Sequence, residues 1–110
     1  MAVEIKKISV VKAKQLHDQG AVFIDTRSWL ERKFGMIENS IAISKNDVDE
    51  KAPTLVKNKD QPIVTYCAVG VRASVAAQNL HKLGYTNVHV VTDAGFSDWK
   101  KAGYPLEKSK

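Results

Sequence analysis

The feature that most constrains the fold is a strand, a short loop and a helix in immediate succession. Ile63-Val64-Thr65-Tyr66 is a continuous run of strand-forming residues, which is typical of a strand buried on both faces. After the loop, small and apolar side chains recur at helical spacing until Gly84 ends the helix: Ala73, Ala76, Ala77, Leu80 and Leu83. Such a unit predicts parallel strands joined by helices that cover the sheet.

The rest of the chain repeats this alternation of strand-like and helix-like segments. Further strands are predicted at residues 21–25, 41–43 and 88–91. Ser9 is placed to cap a first helix that runs through about Asp18, and a last short helix is expected at residues 96–101.

Two more helices are predicted in the middle of the chain. Ser28 and Glu31 have the spacing of a capping box, which begins a short helix with Leu30 and Phe34 on one face. Another helix is expected from residue 44 to 57, broken around its internal proline, Pro53.

Buried strands that alternate with amphipathic helices predict an α/β fold with a mostly parallel sheet covered on both faces. In such sheets, ligands bind beyond the carboxyl ends of the strands, on the loops that lead into helices. Cys67 lies at one of these places, directly after the strand that ends at Tyr66.

Length and composition limit the classes of protein to consider. A chain of 110 residues is expected to form one domain, residues 1–110, with a core that needs no disulfide or structural metal. The single cysteine excludes an internal disulfide and a cysteine-rich zinc site. There is no signal-peptide-like start, and the longest nearly apolar run, Ile63 to Val71, is too short to span a bilayer. We therefore expect a cytoplasmic protein without a membrane partner.

The net charge of +5 points to small anions as partners. The lysines are scattered along the chain and are not interleaved with aromatic residues in one segment. A nucleic-acid partner is therefore not expected, whereas a mild attraction for small anions is.

The loop after the central strand has the composition of an anion cradle beside a nucleophile. Backbone N–H groups at the start of a helix have no helical partner, and together with the helix dipole they stabilise an anion such as a cysteine thiolate. Gly70 permits the backbone angles that turn successive N–H groups inward, and Arg72 adds a permanent positive charge. The competing interpretation is that Cys67 only fills the core and Arg72 only caps a helix, but the combination of strand, glycine, arginine and helix favours the reactive role.

Two segments, Cys67-Ala68-Val69-Gly70-Val71-Arg72-Ala73 and Asp25-Thr26-Arg27, resemble motifs of one family. These motifs are the C-x-x-G-x-R-[AS] active loop and the D-x-R motif of the rhodanese family. The resemblance extends from about residue 9 to 106 through three further segments: 35–41 (G-H-I-P-G-A-I in the family), 83–88, and 92–99, where Thr92-Asp93-Ala94-Gly95-Phe96-Ser97-Asp98-Trp99 is similar to G-G-[FY]-x-x-W.

The resemblance implies a rhodanese-like three-layer α/β/α fold with a central, mostly parallel five-stranded sheet. It also implies a sulfurtransferase without a cofactor or metal, in which Cys67 takes a sulfur atom from thiosulfate or a persulfide donor and passes it to a thiol or to cyanide. The persulfide would be bound by the loop that consists of Ala68, Val69, Gly70, Val71 and Arg72. A protein sulfur acceptor is a further expected partner.

Two alternative functions remain open. Four residues separate Cys67 from Arg72, whereas the related phosphatases and arsenate reductases have five, so the loop length argues against these enzymes. A non-catalytic binding or sensing module of this family usually lacks the cysteine, which this chain retains. The side chains of Ala68, Val69 and Val71 carry no charge, so thiosulfate is expected to be a poorer donor than a persulfide or a protein donor.

Residues outside the loop are assigned mainly supporting roles. Asp25 is expected to orient the active loop by hydrogen bonds, and Arg27 either to do the same or to contact substrate. Glu31 is interpreted as a capping residue, and Met36, where the family usually has histidine, as packing or as lining the mouth of the site. Asn39, in place of a family glycine, is expected to adopt a positive φ.

Overall fold

The computed structural model describes residues 5–92 and 94–108. Its centre is a parallel five-stranded sheet in the order β1-β6-β5-β2-β4. A two-stranded antiparallel sheet joins β3 to β7 beside it. The strands are β1 (Lys6–Ile8), β2 (Val22–Asp25), β3 (Met36–Ile37), β4 (Ser40–Ala42), β5 (Ile63–Tyr66), β6 (Val88–Val91) and β7 (Leu106–Glu107).

The helices cover both faces of the five-stranded sheet. They are α1 (Val10–Asp18), α2 (Trp29–Arg32), α3 (Val48–Leu55), which follows a 3₁₀ turn at Lys45–Asp47, α4 (Val71–Lys82) and α5 (Phe96–Lys101). Residues of α3 and α4 form one buried apolar cluster with the sheet, and residues of α1 and α5 form a second. Consecutive residues of a strand, such as Ile63 and Val64, belong to opposite clusters, because side chains of a strand alternate between the faces. The predicted three-layer α/β/α fold with a five-stranded sheet is confirmed.

Helix caps follow the sequence where the predictions named them. Ser9 caps α1 by accepting a hydrogen bond from the Lys12 amide, and Ser28 and Glu31 form the predicted capping box of α2. Asn39 has the predicted positive φ, at 63°.

Two expectations for the helices were wrong. The helix α3 continues through Pro53 to Leu55 without a break. Pro53 is exposed, so the carbonyl left without an N–H partner by the proline lies on the solvent side, where water can bind it. The helix α2 is a single turn that ends at Arg32, so Phe34 lies after it and does not share a helical face with Leu30.

Strand register sets the position of the site. The strands β2 and β5 are parallel neighbours, and Asp25 at the end of β2 is in register with Tyr66 at the end of β5. The segments that follow them, 26–28 and 67–70, therefore leave the sheet side by side at its carboxyl edge. Among the residues that the structure describes, no helix is long and apolar enough to cross a membrane.

Candidate active site

The loop from Cys67 to Arg72 folds around the cysteine sulfur. The Gly70 amide donates a hydrogen bond to Cys67 Sγ over 3.0 Å. Gly70 is the residue before α4 and has φ +95°, a left-handed conformation that glycine adopts without strain. Its carbonyl accepts hydrogen bonds from the amide and the hydroxyl of Ser74, which fixes the loop on the first turn of α4. The Val71 and Arg72 amides belong to that first turn, where N–H groups have no partner within the helix.

The sulfur is enclosed in this arrangement. Cys67 has 0% exposed surface and belongs to the buried cluster that includes α4. By contrast, Val69 and Val71 of the same loop are 70% and 67% exposed. Cys67 and Gly70 therefore face inward, and the apolar side chains of the loop form its outer surface.

Arg72 connects the loop to α2. Its guanidinium donates two hydrogen bonds to the two carboxylate oxygens of Glu31, one of them over 2.9 Å. This contact is the main cause of the raised pKa of Arg72, and the neighbouring Cys67 raises it further. The same contact is the main reason that the pKa of Glu31 falls to about 2, with the Ser28 hydrogen bonds adding to the effect. Glu31 thus has two roles, cap and partner of Arg72, and the sequence indicated only the first.

Asp25 and Arg27 form a buried pair beneath the loop. Asp25 accepts hydrogen bonds from the backbone amide and the guanidinium of Arg27, and Arg27 Nη2 also donates to the Gly35 carbonyl over 2.6 Å. The Tyr66 hydroxyl donates to Asp25 Oδ2 over 2.9 Å. Burial, followed by the negative charge of Asp25, raises the pKa of Tyr66. These contacts fix the two loops that leave β2 and β5 relative to one another.

Gly95 makes a close contact with the cysteine loop that the sequence did not reveal as such. An added Cβ at Gly95 would lie 1.9 Å from the Ala68 carbonyl oxygen and 2.4 Å from that of Cys67. The φ of Gly95 is −166°, an extended value open to any residue, so the requirement for glycine is one of space. The next amide, that of Phe96, donates to the Cys67 carbonyl over 3.0 Å. The resemblance of residues 92–99 to G-G-[FY]-x-x-W was the only sequence signal.

A cavity of about 330 Å³ lies beside the loop. Its walls come from the two loops, from α2 and the segment after it, and from α5: Arg27, Glu31, Phe34, Ala68, Phe96, Ser97 and Lys100. The Arg27 guanidinium lies 4.0 Å from the centre of the Phe96 ring. Arg27 Nη1 has no hydrogen-bond partner among residues 5–92 and 94–108.

This geometry agrees with a known family over most of the chain. The Rhodanese-like domain family matches residues 9–102. The chain belongs to the rhodanese-like family.

Solved structures and curated relatives are also similar to this chain. A protein of Rhodopseudomonas palustris described as a possible tyrosine phosphatase has 28% sequence identity and a TM-score of 0.77, over 94% of this chain and 85% of that one. The thiosulfate sulfurtransferase of Pseudomonas aeruginosa has a TM-score of 0.81 over 96% of this chain and 21% of that one; at 21% identity it supports the fold alone. The tRNA uridine(34) hydroxylase of Enterobacter sp. is 34% identical over 89 residues, which are 77% of this chain and 25% of the hydroxylase. The chain spans about a quarter of the length of these hydroxylases.

The rhodanese-like fold brings most of the predicted site residues together. The loop from Cys67 to Arg72 adjoins the cavity through Ala68, and Arg27 lines the same cavity. Met36 is fully buried in β3, so it packs in the core and does not line the mouth. The predicted motif residue Asp93 lies outside the described residues. Within the described ranges, no three His, Cys, Asp or Glu side chains form a group that could hold a metal ion.

Proposed function

We propose that this rhodanese-like chain, taken as one domain over residues 1–110, is a sulfurtransferase that carries sulfane sulfur on Cys67. The observation that carries the proposal is the 3.0 Å hydrogen bond from the Gly70 amide to Cys67 Sγ at the amino-terminal end of a 12-residue helix. A sulfur atom in that position is stabilised as an anion by N–H groups and by the helix dipole. A stabilised thiolate is the nucleophile that sulfur transfer requires.

In the first half-reaction, the Cys67 thiolate attacks the outer sulfur of the donor. A bond forms between Sγ and that sulfur, and the bond between the donor's two sulfurs breaks. The electron pair of the broken bond leaves with the rest of the donor, as sulfite from thiosulfate or as a thiolate from an organic persulfide. The step is redox-neutral overall and needs no proton acceptor on the protein.

In the second half-reaction, an acceptor thiolate or cyanide attacks the terminal sulfur of the Cys67 persulfide. The bond between the two sulfurs breaks, and the electron pair returns to Sγ to restore the thiolate. The backbone N–H groups of Val69, Gly70, Val71 and Arg72 are the proposed donors that bind the persulfide between the two steps. Because one product leaves before the acceptor binds, ping-pong kinetics are expected.

A reducing compartment such as the cytoplasm is part of the same proposal, since a lone cysteine must remain a thiol between turnovers. The hydroxylase activity of the relatives on tRNA is not transferred to this chain, because the match covers only 22–28% of their length. A protein sulfur acceptor remains compatible with the exposed apolar residues Val69 and Val71 at the loop surface.

Intact-mass spectrometry tests the proposal directly. The protein is measured alone, after incubation with thiosulfate or glutathione persulfide, and again after cyanide. We expect a gain of one sulfur atom that maps to Cys67, is removed by cyanide, and is absent in Cys67→Ser. Absence of any gain with both donors would contradict sulfur transfer and favour the non-catalytic binding module.

A second assay separates sulfur transfer from phosphatase chemistry. We expect no hydrolysis of p-nitrophenyl phosphate that depends on Cys67, because the loop has one residue fewer between cysteine and arginine than the related phosphatases. Turnover that disappears in Cys67→Ser would overturn the assignment.

A further inference from the structure

The two arginines of the candidate site are each paired with a carboxylate. Arg72 is paired with both carboxylate oxygens of Glu31, and Arg27 is paired with Asp25. A small dianion such as thiosulfate carries its charge next to the sulfur that reacts. Thiosulfate at Cys67 would therefore face two arginines that are each already paired with a carboxylate. The other side chains of the loop are apolar.

Among the described residues, two cavities beside the loop carry unpaired positive charge. Lys7 lines a cavity against Val69 and Gly70, and three lysines line a separate groove. A second cavity, of about 650 Å³, adjoins the cavity of about 330 Å³, and the two share Phe34 and Lys100 as walls. The second cavity adds two more lysines and an apolar wall: Lys33, Lys108 and Leu106. We call these two adjoining cavities the lysine groove.

The lysines of the groove are available to a ligand. In the part of the chain that the structure describes, Lys100 and Lys108 form no ion pair, and Lys33 lies over the Trp29 ring at 4.4 Å without a carboxylate partner. Phe34 is 77% exposed and Leu106 40%, so both offer apolar surface to a ligand. Glu107 also lines the larger cavity, and its carboxylate accepts a hydrogen bond from the Asn39 amide.

We propose that the lysine groove binds an elongated organic thiol or persulfide whose negatively charged groups are distant from its sulfur. The sulfur end points to the loop of Cys67, the middle packs on Phe34, and carboxylate or phosphate groups meet Lys33, Lys100 and Lys108. The chemical role of this ligand, as sulfur donor or acceptor, rests on the proposed sulfur transfer; its binding does not. Thiosulfate differs from such a ligand because it is too small to place its sulfur at the Cys67 loop and its charges at the lysines at the same time.

Binding is tested first with ligands that cannot transfer sulfur. S-methylglutathione supplies carboxylates and S-methyl coenzyme A supplies phosphates. Each is titrated into the full chain labelled with ¹⁵N, and the backbone amide shifts are followed. We expect saturable shifts at Phe34, Gly35, Lys100 and Leu106 with at least one ligand; the ligand that binds identifies the anionic group. Absence of saturable shifts in the groove with both would overturn the proposal.

A matched pair of charge reversals locates the contact. Lys100 and Lys101 are adjacent exposed residues of α5, but only Lys100 lines the groove. We expect Lys100→Glu to weaken binding of the ligand about three- to tenfold, as exposed charge contacts do, and Lys101→Glu to change it less than about twofold. Equal effects of the two variants would show only a general attraction of the ligand to the basic surface and would contradict the proposed site. Lys33→Glu provides a second variant at the groove.

Kinetics then connect the groove to the reaction. Lys100→Glu is expected to raise the KM for glutathione persulfide about three- to tenfold relative to Lys101→Glu, and by a larger factor than it raises the KM for thiosulfate. If Cys67 fails to gain sulfur while the probes still bind, sulfur transfer is wrong and the ligand site stands. If Cys67 gains sulfur and neither probe binds, sulfur transfer stands and the ligand site is wrong.

Discussion

The candidate site contains two arginine–carboxylate pairs that differ in their surroundings. The Asp25–Arg27 pair lies beneath the loop, with side chains 0% and 5% exposed, whereas the Glu31–Arg72 pair lies at its mouth, with side chains 34% and 29% exposed. Asp25 is also bonded to the Tyr66 hydroxyl and to a backbone amide. The same arginine–carboxylate contact therefore occurs once in a buried hydrogen-bond network and once at the solvent-exposed edge of the site.

This difference has a consequence for access to the sulfur. Cys67 has no exposed surface, so a substrate reaches it only after groups at the mouth move. An exposed ion pair contributes about 0.2–1 kcal/mol, so the Glu31–Arg72 pair can open at little cost. Loss of one partner of a buried pair costs about 3–5 kcal/mol, because the other charge remains unpaired in the interior. We therefore expect the buried pair to hold the loops rigidly and the pair at the mouth to open for substrate.

The largest effect is expected from the buried pair. Asp25→Ala leaves the Arg27 guanidinium buried without its carboxylate and should lower the free energy of unfolding by about 3–5 kcal/mol. Urea denaturation followed by circular dichroism measures this change. Asp18→Ala is the control, since Asp18 forms an exposed pair with Lys14 and should cost less than about 0.5 kcal/mol. Similar losses for the two variants would remove the distinction on which the comparison depends.

The buried network was only partly foreseeable from sequence. The D-x-R motif placed Asp25 and Arg27 on one loop, and a supporting role was predicted for Asp25. The Tyr66 hydroxyl was not predicted as a partner, because Tyr66 is 41 residues from Asp25 and only the strand register brings them together. The same reason conceals the Glu31–Arg72 contact, which also spans 41 residues.

Local patterns predicted the central strands and the edge strand β4, but not β1, β3 or β7. Continuous apolar runs identified β2, β5 and β6, since these strands are buried on both faces. The edge strand β1 (Lys6–Ile8) was missed, because two of its three residues are exposed lysines and its conformation depends on pairing with β6. The two-residue strands β3 and β7 are too short for any periodicity, and they exist through their mutual pairing.

An intermediate effect is expected from the tyrosine of the buried network. Tyr66→Phe removes a hydroxyl that donates to Asp25 and accepts from the Ile37 amide, leaving a buried donor without a partner. We expect a loss of about 1–3 kcal/mol in the free energy of unfolding. Tyr85→Phe is the matched control: Tyr85 is equally buried, but among the described residues its hydroxyl makes one hydrogen bond, to the Val56 carbonyl. A smaller loss for Tyr66→Phe than for Tyr85→Phe would show that the network adds no rigidity.

The smallest change in stability is expected at the mouth, where pH separates the charge contact from the cap. Glu31→Gln retains a side chain that can complete the capping box but removes the charge that faces Arg72. The pKa of Glu31 is lowered from 4.5 to about 2, so its contribution is complete above pH 4.5 and is lost as the pH falls through 2. Because the side chain is 34% exposed, we expect the contribution to be about 1 kcal/mol or less.

The measurement is the difference in unfolding free energy between the wild type and Glu31→Gln at pH 7 and at pH 2. It should be about 1 kcal/mol or less at pH 7 and smaller at pH 2, where about half of the Glu31 charge is lost in the folded protein. A difference that is equal at the two pH values would assign the effect to the cap. The same variant also frees Arg72 to bind an anionic donor. Because one charge-assisted contact becomes available, the KM for thiosulfate should fall about threefold or more, while the free energy of unfolding changes little. An unchanged KM would mean that the pair at the mouth does not control entry of the donor, and the two pairs would then differ only in burial.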